Sequence, residues 1–244
     1  MSLPAEAAGL AARGFQGLRV VGDVHGDARA FTHAAAGAEA ERLFLLQLGD
    51  LTDYGPDSPG VLRAMFALLD AGAGRFLLGN HDHKLRRALA GQRVAIAAEG
   101  LGVTLRQLAE APDGAALAGR AMAETAVAPA WLRLGSWCFV HGGWHPRMLE
   151  EAPPARAGAE KPDPLVSRAL FGQVTGRLRP DGYPERRYDW VERIPEGITV
   201  FCGHDRRSTN GRPLVQVSPP GGRAVFLDTG AGKGGHLSWL DLRW

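Results

Sequence analysis

The stretch Leu18-Arg19-Val20-Val21-Gly22-Asp23-Val24-His25-Gly26 decides how the chain is read. A short apolar run stops at glycine and aspartate, and a histidine follows two positions later. The pattern returns twice. Leu43 to Leu48 leads into Gly49-Asp50-Leu51-Thr52-Asp53, and Phe76 to Leu78 leads into Gly79-Asn80-His81-Asp82. Short continuous apolar runs bounded by turn residues read as strands buried on both faces. Helix-like stretches from Ala28 to Glu41 and from Pro59 to Ala71 separate them, and this alternation predicts βαβ units with parallel pairing. Ligands in open α/β sheets gather beyond the carboxyl ends of the strands, so the polar residues at these exits are the first candidates for chemistry.

Farther along, Trp137 to Val140, Ile198 to Cys202 and Val225 to Leu227 read as three more buried strands. The first two run into Val140-His141-Gly142-Gly143 and Gly203-His204. Between them and the opening units, Lys84 to about Ala128 is rich in Ala, Leu, Arg, Glu and Gln, with breaks near Gly100 and Pro112-Asp113-Gly114. This segment, 84–128, is expected to be a helical insert over the site. Ala152 to Pro164 carries four prolines and few apolar residues; since apolar strands resume after it, an exposed loop is expected rather than a domain linker. Pro219-Pro220-Gly221-Gly222 predicts a hairpin turn. With 244 residues and no internal repeat, one α/β domain spanning 1–244 is expected.

Apolar residues make up 45% and charged residues 22% of the chain, which excludes a largely disordered or fibrous protein. A net charge of +2 is too mild to mark a nucleic-acid protein, so nucleic acid stays an open partner. The arginine pairs Arg86-Arg87, Arg186-Arg187 and Arg206-Arg207 read first as solvated surface. Cys138 and Cys202 lie among apolar neighbours without CxxC spacing, so buried free thiols and a reducing cytoplasm are expected. The N-terminus contains Glu6 and lacks a continuous apolar signal core, and no apolar run reaches the roughly 18 residues of a spanning helix. Neither an export signal nor a membrane anchor is expected.

Taken together, the strings at 22–26, 49–53, 79–82, 140–143 and 203–204 supply carboxylate, amide and imidazole groups at strand ends. Asp and His suit Mn, Fe or Zn, and a carboxylate can bridge two ions about 3.5 to 4 Å apart. Such a pair acidifies a shared water and clamps phosphoryl oxygens. One such string alone is weak evidence, because glycine beside a polar residue usually means only a turn. Five in order at strand ends point to a metal centre.

At these residues the chain resembles the calcineurin-like metallophosphoesterases, whose motifs read GDxHG, GDxxDRG, GNH[DE], HGG and GH. The resemblance runs from Val21 to about Asp241. Within that superfamily the chain looks most like the phosphoprotein-phosphatase branch, above all the phosphatase module of bacterial polynucleotide kinase-phosphatases. Gly55-Pro56-Asp57-Ser58, His83-Lys84-Leu85-Arg86-Arg87-Ala88-Leu89 and Asp228-Thr229-Gly230 carry this closer likeness. The resemblance implies two mixed β-sheets packed as a sandwich flanked by helices. It implies two divalent ions, manganese first, with iron, zinc or nickel as alternatives. Asp23 and His25 would ligate one ion, Asp50 would bridge, and Asn80, His141 and His204 would complete the other. His81 would be a proton donor near the leaving oxygen, oriented by Asp53, and Asp228 would stand behind the ligands. Asp82 is expected to be structural. Arg206 occupies the place where GHxH branches carry a further histidine, and His33, His83, His145 and His236 match no ligand position.

One departure concerns Tyr54, which stands where the branch has an arginine that grips phosphate. Either the grip is missing, or Tyr54 packs over the site while Arg206 or Arg187 reaches the phosphate from elsewhere. The string Gly230-Ala231-Gly232-Lys233-Gly234-Gly235 superficially suggests a phosphate loop. It fails the Walker pattern, because Leu227 and Gly234 hold the positions that need glycine and Ser or Thr, and a hairpin into Leu237 to Leu240 is expected instead. The first functional expectation is a phosphomonoesterase acting on a phosphoprotein or small phosphoester. The alternatives are a diadenosine-tetraphosphate, nucleotide or nucleic-acid-end phosphohydrolase, and a binding module with a decayed metal site, against which the complete donor set argues.

Overall fold

A computed structural model of the chain describes residues 5–178, 180 and 184–244. In chain order it contains α1 (Ala5–Ala12), β1 (Gly17–Val21), α2 (Ala28–Ala40), β2 (Leu43–Gln47), α3 (Ser58–Asp70), β3 (Gly74–Phe76), α4 (Asn80–Leu89), α5 (Leu101–Glu110) and α6 (Gly114–Val127). Then follow β4 (Trp131–Leu134), β5 (Trp137–Val140), α7 (Pro164–Phe171), β6 (Gln173–Leu178), β7 (Pro184–Arg187), β8 (Thr199–Cys202), β9 (Leu214–Val217), β10 (Arg223–Phe226) and β11 (Trp239–Arg243). The opening units form as their sequence predicts, except that the third strand ends at Phe76 where the sequence had it begin. Asp27 caps α2 by accepting from Ala30 N at 3.0 Å, and Asp57 caps α3 by accepting from Gly60 N at 2.7 Å, with Pro59 in the first turn.

Apart from a two-stranded antiparallel pair, β6-β7, one sheet runs β11-β1-β2-β3, parallel except for β11; the other runs β4-β5-β8-β10-β9, with β5, β8 and β10 parallel and antiparallel strands at both edges. Both sheets are therefore mixed. Strand periodicity sorts their side chains into two layers. Leu18, Val20, Leu46, Leu48 and Leu77 of the first sheet and its strand exits meet Leu134, Phe139, Phe201, Val225 and Leu227 of the second in one buried cluster. The alternate residues Val21, Leu43, Leu45, Phe76, Cys138, Val140, Val200, Cys202 and Phe226 belong to the larger cluster that also holds the helices. Burial on both faces explains the unbroken apolar runs. Both cysteines are buried free thiols, and among the described residues no helix is long and apolar enough to cross a membrane.

Two expectations are corrected. The glycine-rich segment after β10 does not make a hairpin. It crosses from the second sheet to the first, where β11 pairs antiparallel with β1, Val21 opposite Trp239. The helices within 84–128 also do not roof the site: no residue of α5 or α6 lines the cleft described below, because α5 packs on α3 and behind the loop that follows β2. The turn at Ser218–Gly222 does join β9 to β10 as a hairpin.

One charge is embedded in this frame. Arg19, in the middle of β1, has a side chain only 7% exposed and pairs bidentately with Asp241 of β11 at 2.7 Å for both bonds, while its third nitrogen donates to Ala34 O at 3.0 Å. Asp241→Ala leaves that guanidinium buried without a counter-charge. The expected cost is about 3 kcal/mol, the low end for breaking a buried pair because Asp241 keeps some contact with water. Urea unfolding checks this through a lower midpoint at an unchanged slope.

Candidate active site

Each expected donor string sits just past a strand. The chain turns so sharply there that His25, Asp50, Asp53, Tyr54 and His204 all hold left-handed φ values, between 47° and 79°. Non-glycine residues rarely adopt this region, and the strain, on the order of 1 kcal/mol or more each, persists only where surrounding bonds over-determine it. Those bonds are present. His25 N donates to Asp50 O at 3.0 Å, Gly26 N to Leu51 O at 2.9 Å, and Gly55 N to His25 O at 2.9 Å, so the loops after β1 and β2 hold each other. Gly49, at φ +99°, is a place where side-chain volume is forbidden: a Cβ would lie 2.7 Å from Gly79 Cα and 2.8 Å from His141 Nδ1.

Asp82 ties the third string to the second. Its carboxylate accepts from Asp50 N at 2.8 Å, Leu51 N at 3.0 Å and Gly79 N at 3.1 Å, the last as a capping contact at the start of α4. Burial, with the nearby charge of Asp50, pushes its carboxyl up to about 6. The Gly-Asn-His-Asp string is thus the first turn of a helix, which begins at Asn80 rather than near Lys84.

The structure brings the expected ligands together in two groups, Asp23, His25 and Asp50, and Asp50, His141 and His204, each with donor atoms within 4.8 Å of one another. Asp50 belongs to both. Asn80 Oδ1 joins the second group, 3.0 Å from His141 Nε2. Two rings have their outer nitrogens aimed by backbone carbonyls: His25 Nδ1 lies 3.0 Å from Thr52 O, and His141 Nδ1 lies 2.9 Å from Leu48 O. Such bonds fix which nitrogen faces the centre. His204 N donates to Asp23 Oδ1 and Oδ2 at 2.9 and 3.1 Å, while its buried Nε2 has no hydrogen-bond partner. His33, His83, His145 and His236 belong to neither group.

Charge in this centre is out of balance. Burial, aided by Asp228 and Asp50, pushes the Asp23 carboxyl well above its ordinary range. Burial presses Asp50 upward too, but the neighbouring histidines, His141 first, outweigh it and hold this carboxyl well below that range. His141 is held up at about 9 because Asp50 and Asp23 outweigh the effect of its burial. Burial lowers His25 and His204 far below the usual imidazole value, so both are neutral donors. Buried carboxylates, neutral imidazoles and an orphaned ring nitrogen around one space fit the binding of hard or borderline cations.

Beside this centre His81 donates its backbone N–H to Asp50 Oδ1 at 2.9 Å, and its Nδ1 lies 2.6 Å from Asp53 Oδ2. The other oxygen of Asp53 accepts from Thr104 Oγ1 of α5 at 2.8 Å, and Asp53 N donates to the same hydroxyl at 2.9 Å. Burial lowers the His81 imidazole, but Asp50 and Asp53 outweigh it and the net shift is upward. Thr104 was not legible from the sequence, since nothing around it marks a threonine 51 residues from its partner as functional.

A cleft of about 490 Å³ opens over these groups, lined by Asp50, Asn80, His81, His204 and Asp228 below and by Tyr54, Phe171, Pro184, Arg186, Arg206 and Lys233 around them. Tyr54 stands edge-on to His25 and His81, with ring centres 5.1 and 5.4 Å away. Asp228, 1% exposed, accepts from Gly230 N at 2.9 Å. Of the two arginines named from the sequence, Arg206 lies exposed at the rim, whereas Arg187 does not line the cleft and pairs with Asp189 at 2.7 Å. Arg186 lines it instead. Neighbouring residues of a strand face opposite sides, so the choice within the Arg186-Arg187 pair belongs to the register of β7.

Residues 18–208 match the model of a family described as calcineurin-like phosphoesterase. The chain is 28% identical to an asymmetrical bis(5'-nucleosyl)-tetraphosphatase of Geobacillus thermodenitrificans, over 91% of this chain and 88% of that one. It is 31% identical to a symmetrical bis(5'-nucleosyl)-tetraphosphatase of Methylococcus capsulatus, over 81% of each. A solved structure of a candidate diadenosine tetraphosphatase, 22% identical, superposes with a TM-score of 0.56 over 94% of this chain and 95% of that one, which is a likeness of fold.

Proposed function

The chain belongs to the calcineurin-like phosphoesterase family and is a metal-dependent phosphoric ester hydrolase, and on that premise we propose that its substrate is a dinucleoside polyphosphate, cut at a phosphoanhydride bond. The sequence alone puts phosphomonoesters first and tetraphosphates second. The carrying observation, likeness to tetraphosphatases along nearly the full length of both chains, reverses that order. The cleft supports it: an anionic floor is edged by Arg186, Arg206 and Lys233, and the rings of Tyr54 and Phe171 stand at its wall. Cations of this kind suit a polyphosphate chain, and flat rings suit the bases that flank it.

In this reading Asp23, His25, Asp50, Asn80, His141 and His204 hold two divalent ions, manganese first. When bound, these supply the positive charge that acidifies an attacking water and offsets the charge on the phosphoryl oxygens. Water oxygen joins phosphorus, the phosphorus–oxygen bond to the departing nucleotide breaks, and His81, steadied by Asp53, stands ready to protonate the leaving oxygen. Among the named relatives, the one aligned over more of both chains is asymmetrical, so unequal products are expected.

The test is incubation of bis(5'-adenosyl) tetraphosphate with the manganese-loaded protein, beside a phosphoserine peptide, with products resolved by anion exchange. Equal amounts of adenosine mono- and triphosphate are expected. Adenosine diphosphate alone would keep the substrate class and move the cut to the centre. An intact tetraphosphate beside a dephosphorylated peptide would return the function to phosphomonoester hydrolysis.

A further inference from the structure

The crossover between β10 and β11 carries one of the three cations of the cleft, and it stands nearest the candidate ligands. Lys233 Nζ lies 2.7 Å from His25 Nε2 and 4.4 Å from the centre of the Tyr54 ring. Among the described residues no carboxylate oxygen comes within ion-pair distance of it. The loop is shaped to deliver this side chain. Gly232 sits at φ +68°, and a Cβ there would strike the carbonyl oxygen of His25, so the backbone passes against the first donor string. Gly230 O accepts from Lys233 N at 3.0 Å and from Gly235 N at 2.8 Å, and Asp228 accepts from Gly230 N at 2.9 Å. The backbone is tied down while the four-carbon stem above it can swing.

The other cations of the cleft are placed differently. Arg186 is engaged, with Nε 2.9 Å from Asp205 Oδ1 and Nη1 donating to Phe171 O, and Arg206 is exposed at the rim. Lys233 alone of the three sets its head group against the ligand candidates. His25 offers one nitrogen to the cleft, since Nδ1 is engaged by Thr52 O, and that Nε2 also faces Asp23 and Asp50 at 3.7 Å. One lone pair cannot serve both an ammonium and a divalent ion. An ion held by Asp23, His25 and Asp50 would therefore turn the ammonium away from His25, into a cleft where Asp228 and the phosphoryl group of the substrate are the anions that can receive it.

We infer that Lys233 is a phosphate-binding residue, which grips a phosphoryl oxygen once the ions are in place and rests on His25 when they are not. The inference rests on phosphoester hydrolysis at this cleft, the family's chemistry, and is independent of the nucleotide.

Inorganic phosphate serves as the probe for that reason: its binding to the manganese-loaded protein is measured by titration calorimetry for the wild type, K233M and K233R. K233M is expected to weaken phosphate at least tenfold, with K233R recovering most of the loss by keeping the charge. The KM for p-nitrophenyl phosphate should rise in step, with kcat changed less than about threefold. Without phosphate, K233M should bind manganese more tightly, because the competitor for His25 is gone. Phosphate affinity within twofold of wild type at equal manganese content overturns the inference, and so does tightened manganese binding with unchanged phosphate binding, which would make Lys233 a competitor for the ion and nothing more. K233Q carries the same expectations should K233M fail to fold. A protein that ignores tetraphosphates yet shows these shifts would refute the proposed substrate and keep Lys233 in its role.

Discussion

Asp50→Asn is expected to bring hydrolysis of every phosphoester substrate down to background while leaving the fold intact. Asp50 is the only side chain common to both groups of candidate ligands, and it is 1% exposed. Its Oδ1 lies 3.4 Å from His141 Nε2 and its Oδ2 lies 3.7 Å from His25 Nε2, so it stands between the two halves of the centre. Asparagine keeps the shape and the acceptor for His81 N, and it tolerates the left-handed φ of 62° better than most residues. What it loses is the negative charge that two ions would share. Thermal unfolding should therefore move little, while bound manganese per chain should fall. The assay is p-nitrophenyl phosphate hydrolysis after chelation and after manganese is restored. Wild type should lose and regain activity, the variant should stay silent throughout, and a chelated protein with full activity would remove metal from the mechanism.

His81→Ala should show a loss that depends on what is leaving. His81 sits beside Asp50, and the chain Thr104, Asp53, His81 runs through contacts of 2.8 and 2.6 Å to hold its ring. A positioned acid contributes roughly 10²- to 10⁴-fold, and its help is worth most when the departing oxygen is basic. An alkyl phosphate should accordingly lose activity in that range. The aryl p-nitrophenyl phosphate should lose much less, and so should a dinucleoside tetraphosphate, whose leaving group is itself a phosphate. Metal content of the variant, measured alongside, separates loss of the acid from loss of the ions. Equal losses on all three substrates with metal retained would count against the acid role and leave His81 as a phosphate contact.

Much of this was readable before any fold was known, because the signals were local. An apolar run followed by Gly-Asp or Gly-Asn-His describes a strand and the turn that ends it, and both are set by residues within a few positions of each other. Parallel pairing followed from the intervening helices, so the exits of β1, β2 and β3 had to lie at one edge, and their donors with them. The two mixed sheets and the hairpin between β9 and β10 followed the same local or family-level cues.

The tertiary structure decided whatever depended on direction or on a distant partner. Thr104 meets Asp53 across 51 residues, and Lys233 meets His25 across 208. No local pattern marks such pairs. Arg186 and Arg187 are the same residue type at consecutive positions, and only the facing of β7 assigns one to the cleft. The glycine-rich segment had the composition of a hairpin, yet it crosses between sheets because β11 completes its hydrogen bonds against β1. Sequence by itself determined which turns the backbone makes, since turn chemistry is short-ranged. Which side chains those turns bring face to face was settled only when two sheets, joined through burial of Leu18, Val20, Phe139, Phe201 and their neighbours, set the loops of both against one cleft. Hydrophobic burial is non-directional, and it is the sterics and hydrogen bonds of the assembled sheets that give the cleft its residues.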